Sequence, residues 1–149
     1  MPVWKDPMIR HWQSLKLASC PKLESIRINI YLRARPTDDH SDETEATDVP
    51  ALSLPGAGML FQASSALRSI YIYVHDLPRV TTLNDRRLLR LQEFDKVITP
   101  DTFPLLRRVF LRIRPDGDLW RQPDYKWRKV VVGTRRALPN LHSRGMLRV

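Results

Sequence analysis

Apolar and polar residues alternate strictly in three separate stretches of the chain. These are Pro21-Lys-Leu-Glu-Ser-Ile-Arg-Ile-Asn-Ile30, Ala66-Leu-Arg-Ser-Ile-Tyr-Ile-Tyr-Val74 and Pro104-Leu-Leu-Arg-Arg-Val-Phe-Leu-Arg-Ile113. Each holds a leucine, two variable residues, and then the alternating run. The leucines Leu23, Leu67 and Leu106 stand 44 and 39 residues apart. A degenerate fourth copy ends the chain, Pro139-Asn-Leu141 and then Met146-Leu-Arg-Val149, its leucine 35 residues after Leu106, with an extra residue before its run and a kink expected at Gly145. Recurrence every 20–50 residues or so marks repeat architectures.

Alternation with β-branched residues predicts strands, because successive strand side chains point to opposite faces. The predicted strands are 26–32, 70–75, 109–114 and 146–149. Helical periodicity lies between them. Met8, Trp12 and Leu15 share one face of a first helix. Thr82-Leu-Asn-Asp85 resembles a capping box, followed by Leu88, Leu91, Phe94 and Ile98 on one stripe. Asp124 is the candidate cap of a third helix, with Trp127, Val130, Val131 and Thr134 inward, Gly133 weakening it and Pro139 ending it.

Strand–helix–strand order implies parallel strands with right-handed crossovers. A parallel sheet covered on both faces reads as continuous apolar runs. These runs alternate, so one face is expected to be wet. The expected architecture is α/β: a short, irregular, leucine-rich-repeat-like parallel sheet of about four strands, with helices on one face. The whole chain, 1–149, reads as a single such domain. The core face would carry Ile26, Ile28, Ile30, Ile70, Ile72, Val74, Val109, Leu111, Ile113, Leu147 and Val149. The wet face would carry Arg27, Asn29, Tyr31, Arg33, Tyr71, Tyr73, His75, Phe110, Arg112, Arg114 and Arg148. It holds aromatics and arginines and no acid. Tyr and Arg are enriched at interaction hot spots, although aromatics also suit a pleated surface and arginines solubilise one.

Charge sharpens this picture. The chain has 25 Lys and Arg against 16 Asp and Glu, a net charge of +9. Six of those acids, Asp38, Asp39, Asp42, Glu43, Glu45 and Asp48, fall within 36–50, where there is no Lys or Arg. A basic body with one acidic stretch points to acidic partners, to solubility, or to a loop that screens its own basic surface. With Pro50, Pro55, Gly56 and Gly58 following, 34–58 is predicted to be a mobile insertion loop. A second basic group, Arg86, Arg87, Arg90, Lys126, Arg128, Lys129, Arg135 and Arg136, falls on outer helix faces near Tyr125 and Trp127. It reads as a solvated face, with phosphate binding as the sharper alternative.

Candidate chemistry is sparse. Gly56-Ala-Gly58 follows a proline, lacks a third glycine and is no dinucleotide fingerprint. His11, His40, His75 and His142 lie far apart, with no ligand spacing. Cys20, the single cysteine, can form no internal disulfide and is expected to be buried and structural. No nucleophile elbow or zinc-protease run is present. No catalytic residue, metal site or cofactor is assigned. The first residues lack an apolar signal core, and the longest uncharged run, 49–67, is too broken to span a bilayer, so a cytoplasmic or nuclear protein is expected.

Cys20-Pro-Lys-Leu-Glu-Ser-Ile-Arg-Ile28 resembles the cysteine-containing leucine-rich repeats of F-box proteins. The segment beginning Phe103-Pro-Leu-Leu and the ending Leu138-Pro-Asn-Leu-His-Ser-Arg-Gly-Met-Leu-Arg-Val149 look like the C-terminal ends of mushroom-type fungal F-box proteins. No F-box-like helical module precedes Cys20, so binding to a ubiquitin-ligase adaptor is not implied. The Asn or Cys that usually follows a repeat strand is also missing. The resemblance implies a substrate-recognition part. The expected function is a non-catalytic protein–protein interaction module with an acidic protein partner; the alternative is nucleic-acid binding through the basic surface. The first strand has little upstream to cover its edge, so self-association there, or missing N-terminal units, is expected as well.

Overall fold

A computed structural model describes residues 20–32, 60, 63–86, 89–117, 121–123 and 125–149. The predicted first helix and the predicted loop 34–58 lie outside these residues, as do Arg33, Leu88 and Asp124.

The architecture is α/β. Four strands, β1 (Ser25–Tyr31), β2 (Ser69–Leu77), β3 (Arg108–Pro115) and β4 (Leu147–Arg148), form one sheet in the order β1-β2-β3-β4. Every neighbouring pair is parallel. The recurring leucine has a local cause. Leu23, Leu67 and Leu106 each close a tight turn, donating their N–H to the carbonyls of Cys20, Ser64 and Phe103 at 3.1, 3.2 and 3.2 Å. The next residue of each copy continues the ladder: Arg68 N donates to Glu24 O at 2.8 Å, and Arg107 N to Arg68 O at 2.9 Å. The three copies therefore stack as equivalents, and each strand starts two residues after its leucine.

The fourth copy is built differently. Val109 pairs with Leu147, so Leu141 precedes the first paired core residue by six positions instead of three. The intervening residues complete a short helix and a turn at Gly145, where φ is +67°.

The described residues include the helices α1 (Leu91–Val97), α2 (Trp127–Ala137) and α3 (Pro139–Ser143). Their buried residues, including Leu91, Phe94, Val130, Ala137 and Leu141, join the apolar face of the sheet in one core. Ile70, Ile72, Val74, Val109 and Leu111 are fully excluded from solvent. Among the described residues, no helix is long and apolar enough to cross a membrane.

Several local expectations are corrected. The capping-box sequence forms a 3₁₀ turn, Val80–Asn84, and α1 begins only after Arg90, which sits in the left-handed region at φ 45°, ψ 42°. The reason is geometric. At about 100° per residue, one continuous helix would set Leu89 roughly 120° from Leu83 and 160° from Leu91. The break lets all three be buried completely.

In α2 the buried stripe is Val130, Gly133, Thr134 and Ala137. Trp127, at the first helical position and ahead of that stripe, is 45% exposed, and Val131 on its flank is half-buried. Gly133 marks a close approach: a Cβ there would stand 3.3 Å from Leu83 Cδ1. Pro139 does follow the end of α2, but it also opens α3, where its missing N–H leaves nothing unpaired. Cys20 is exposed, not buried, because it occupies the first position of the turn closed by Leu23.

Candidate functional site

The solvent-facing side of the sheet is made by strand alternation. Burial runs exposed–buried throughout β1, and half-exposed–buried along β2 up to Val74. Parallel pairing then sets outward residues into rows. Arg27, Tyr71, Phe110 and Arg148 form one row; Asn29, Tyr73 and Arg112 form the next; Tyr31 faces His75 in a third. Ten of the eleven residues expected on this face are thus described and brought together, Arg33 being the exception.

Adjacent strands lie about 4.8 Å apart, which is also a stacking distance for rings. Tyr71 and Phe110 stack at 4.8 Å with planes 5° apart, and Tyr31 and His75 at 4.5 Å and 11°. Tyr73 lies 6.3 Å from the His75 ring, and the Arg27 guanidinium stands 4.9 Å from the Tyr73 centroid. Arg108 reaches over Phe110 at 5.8 Å. His75 Nε2 and Asn29 Oδ1 are 3.2 Å apart, which makes the ring nitrogen the donor. Each of these rings therefore has at least one ring or guanidinium partner. Tyr31 is 56% exposed, and Arg112 and Arg114 are exposed.

Arg148 is the member that behaves differently. Its guanidinium turns back and donates to the carbonyls of Gly145 at 2.9 Å and Leu147 at 3.2 Å, bracing the short β4. Arg108 belongs to the surface but was not among the expected residues. Its position two residues before Phe110, on the same strand face, was the available signal.

A bulge was also not foreseen. Between the pairs Val74–Ile113 and Leu77–Pro115, β2 carries two residues, His75 and Asp76, against Arg114 alone on β3. Asp76 takes a left-handed φ of 58°. At this end of the sheet lies an open hollow of about 400 Å³, lined by Tyr73, Val74, His75, Arg112, Ile113, Arg114 and Pro115.

The outer face of α2 presents a second basic surface. Lys126, Arg128, Lys129, Arg135 and Arg136 are all exposed. Tyr125 does not join it: the ring packs against the core, and burial raises its phenol above the ordinary value of 10.0. Among the described residues no group of three or more His, Cys, Asp or Glu side chains is placed to hold a metal ion.

The chain matches no protein-family model, no curated protein and no solved structure.

Proposed function

We propose that this chain is a non-catalytic protein-interaction module that binds an acidic protein surface through the open face of its sheet. One observation carries the reading: stacked aromatics and arginines are ranked in register across three strands, on a face whose outward strand positions hold no carboxylate outside the bulge residue Asp76. A rigid scaffold presenting Tyr and Arg with little side-chain freedom left to lose is the composition of interaction hot spots. Rings stacked on one another leave fewer free aromatic faces for the bases of single-stranded nucleic acid, which favours a protein partner. The similarity to F-box repeat regions supports the narrower proposal that the bound protein is a substrate to be recognised.

The test is capture of a protein partner from extracts of the source cells by wild-type chain, by Tyr73→Ser and by Lys129→Gln. The proposal expects capture that resists nuclease, falls sharply in Tyr73→Ser and persists in Lys129→Gln. Capture retained by Tyr73→Ser would remove the sheet face as the interface. Nucleic-acid binding is the second reading, and the exposed bases of α2 beside Trp127 favour it. It predicts loss in Lys129→Gln and an affinity that drops steeply with salt.

A further inference from the structure

The hollow at the carboxyl end of β2 and β3 has a chemistry narrower than the face around it. Its lining brings the outward-facing Tyr73, His75, Arg112 and Arg114 together with the buried, apolar Val74, Ile113 and Pro115. Among the described residues, neither the Arg112 nor the Arg114 side chain has an ion-pair or hydrogen-bond partner. The other guanidinium groups of this surface are engaged: Arg27 on Tyr73, Arg108 on Phe110, Arg148 on its own backbone. Two acids adjoin the lining in sequence, Asp76 after His75 and Asp116 after Pro115, and neither is part of it. The bulge gives the hollow its place. Two residues of β2 opposite one of β3 interrupt the ladder, and Arg114 is left without a paired neighbour on β2.

We infer that this hollow is the anchoring subsite of the interface proposed above, and that it takes an extended acidic segment of the partner with carboxylates at alternate positions. The inference rests on the sheet-face reading and adds to it a ligand geometry. Arg112 and Arg114 are separated by one residue on the same strand face, about 6.6 Å along the strand. Same-side residues of any extended peptide have that spacing as well. A segment lying along β3 therefore sets successive outward carboxylates opposite successive guanidinium forks. Each fork can accept a carboxylate through two parallel N–H···O bonds. Tyr73 stands beside Arg112 on the neighbouring strand, where its phenol hydroxyl can donate to the same carboxylate.

The experiment is fluorescence anisotropy with the full chain and a labelled octapeptide of alternating Glu and Ser. The comparison probe is its isomer with four Ser followed by four Glu, and the nucleic-acid probe is oligothymidylate. The alternating peptide is expected to bind more tightly than its isomer. Its affinity should fall at least about tenfold in Arg112→Gln/Arg114→Gln, as for lost charge-assisted bonds. It should be unchanged in Arg128→Gln/Lys129→Gln on α2. Both pairs are exposed, so neither double variant disturbs the core. Equal losses in the two double variants would mean diffuse charge and overturn the subsite. So would equal affinity for the two isomers, or tighter binding of oligothymidylate that is lost with Arg112 and Arg114. If Tyr73→Ser abolishes capture of the partner while Arg112→Gln/Arg114→Gln retains it, the subsite falls and the sheet-face interface stands.

Discussion

Gly145 has φ +67° because the chain must reverse out of α3 within one residue. Its N–H donates to His142 O at 2.9 Å, and Met146 N to Leu141 O at 3.1 Å, the two bonds of a Schellman motif. Leu141 and Met146, its hydrophobic pair, are both buried. No atom lies within 4 Å of a Cβ placed there, so Gly145→Ala meets only the backbone penalty. A loss of about 1 kcal/mol in chemical denaturation is expected. Asp95 is a second residue with an outsized role. It is 4% exposed, and its two carboxylate oxygens accept the N–H groups of Asn140 at 3.1 Å and Leu141 at 2.9 Å. A carboxylate from α1 thus satisfies the free N–H groups at the start of α3, where Pro139 and Leu138 offer no cap of their own. Asp95→Ala leaves buried donors unpaired and should cost about 1–3 kcal/mol by the same measurement.

At the scale of the element, each strand separates stability from recognition by alternation. Ile72 is completely buried between Ile28 and Leu111 in the register of the sheet, while Tyr73, the next residue, is half-exposed. Ile72→Ala should lower stability by about 2–5 kcal/mol, the range for truncating a large core aliphatic. Tyr73→Ser removes one stacked ring from a wet surface and should cost much less. Thermal melts of the two variants read this directly, and comparable losses would mean that Tyr73 is a core residue in practice. The helices obey a different logic. The Thr82–Asp85 sequence matched a capping box, yet it forms a 3₁₀ turn. Local pattern favoured a helix start, and burying Leu83, Leu89 and Leu91 together required the break.

For the whole molecule, the order β1-β2-β3-β4 leaves β1 at an edge of the sheet among the described residues. Parallel strands at an edge offer a row of backbone donors and acceptors to another chain. Self-association through β1 is therefore expected, visible as a sedimentation coefficient that rises with protein concentration. A concentration-independent monomer would show that this edge is covered. The net charge of +9 opposes such assembly through general repulsion, so association should strengthen as salt is added.

The strands, their parallel order and the two faces of the sheet were legible in the sequence because strand periodicity is local. A period of two can be read from six or seven residues, and the recurring leucine sets each copy in phase with the last. Ten of the eleven residues named for the wet face duly lie on it. What those residues do to one another was decided only by tertiary structure. Stacking of Tyr71 on Phe110 joins residues 39 positions apart, and it depends on a register that no single strand contains. The same holds for the bulge at His75 and Asp76, for the cap that Asp95 supplies to α3, and for the inward turn of Arg148. Periodicity settles which way a side chain points; its partner is settled by packing and pairing between distant segments, which leave no local trace in the chain.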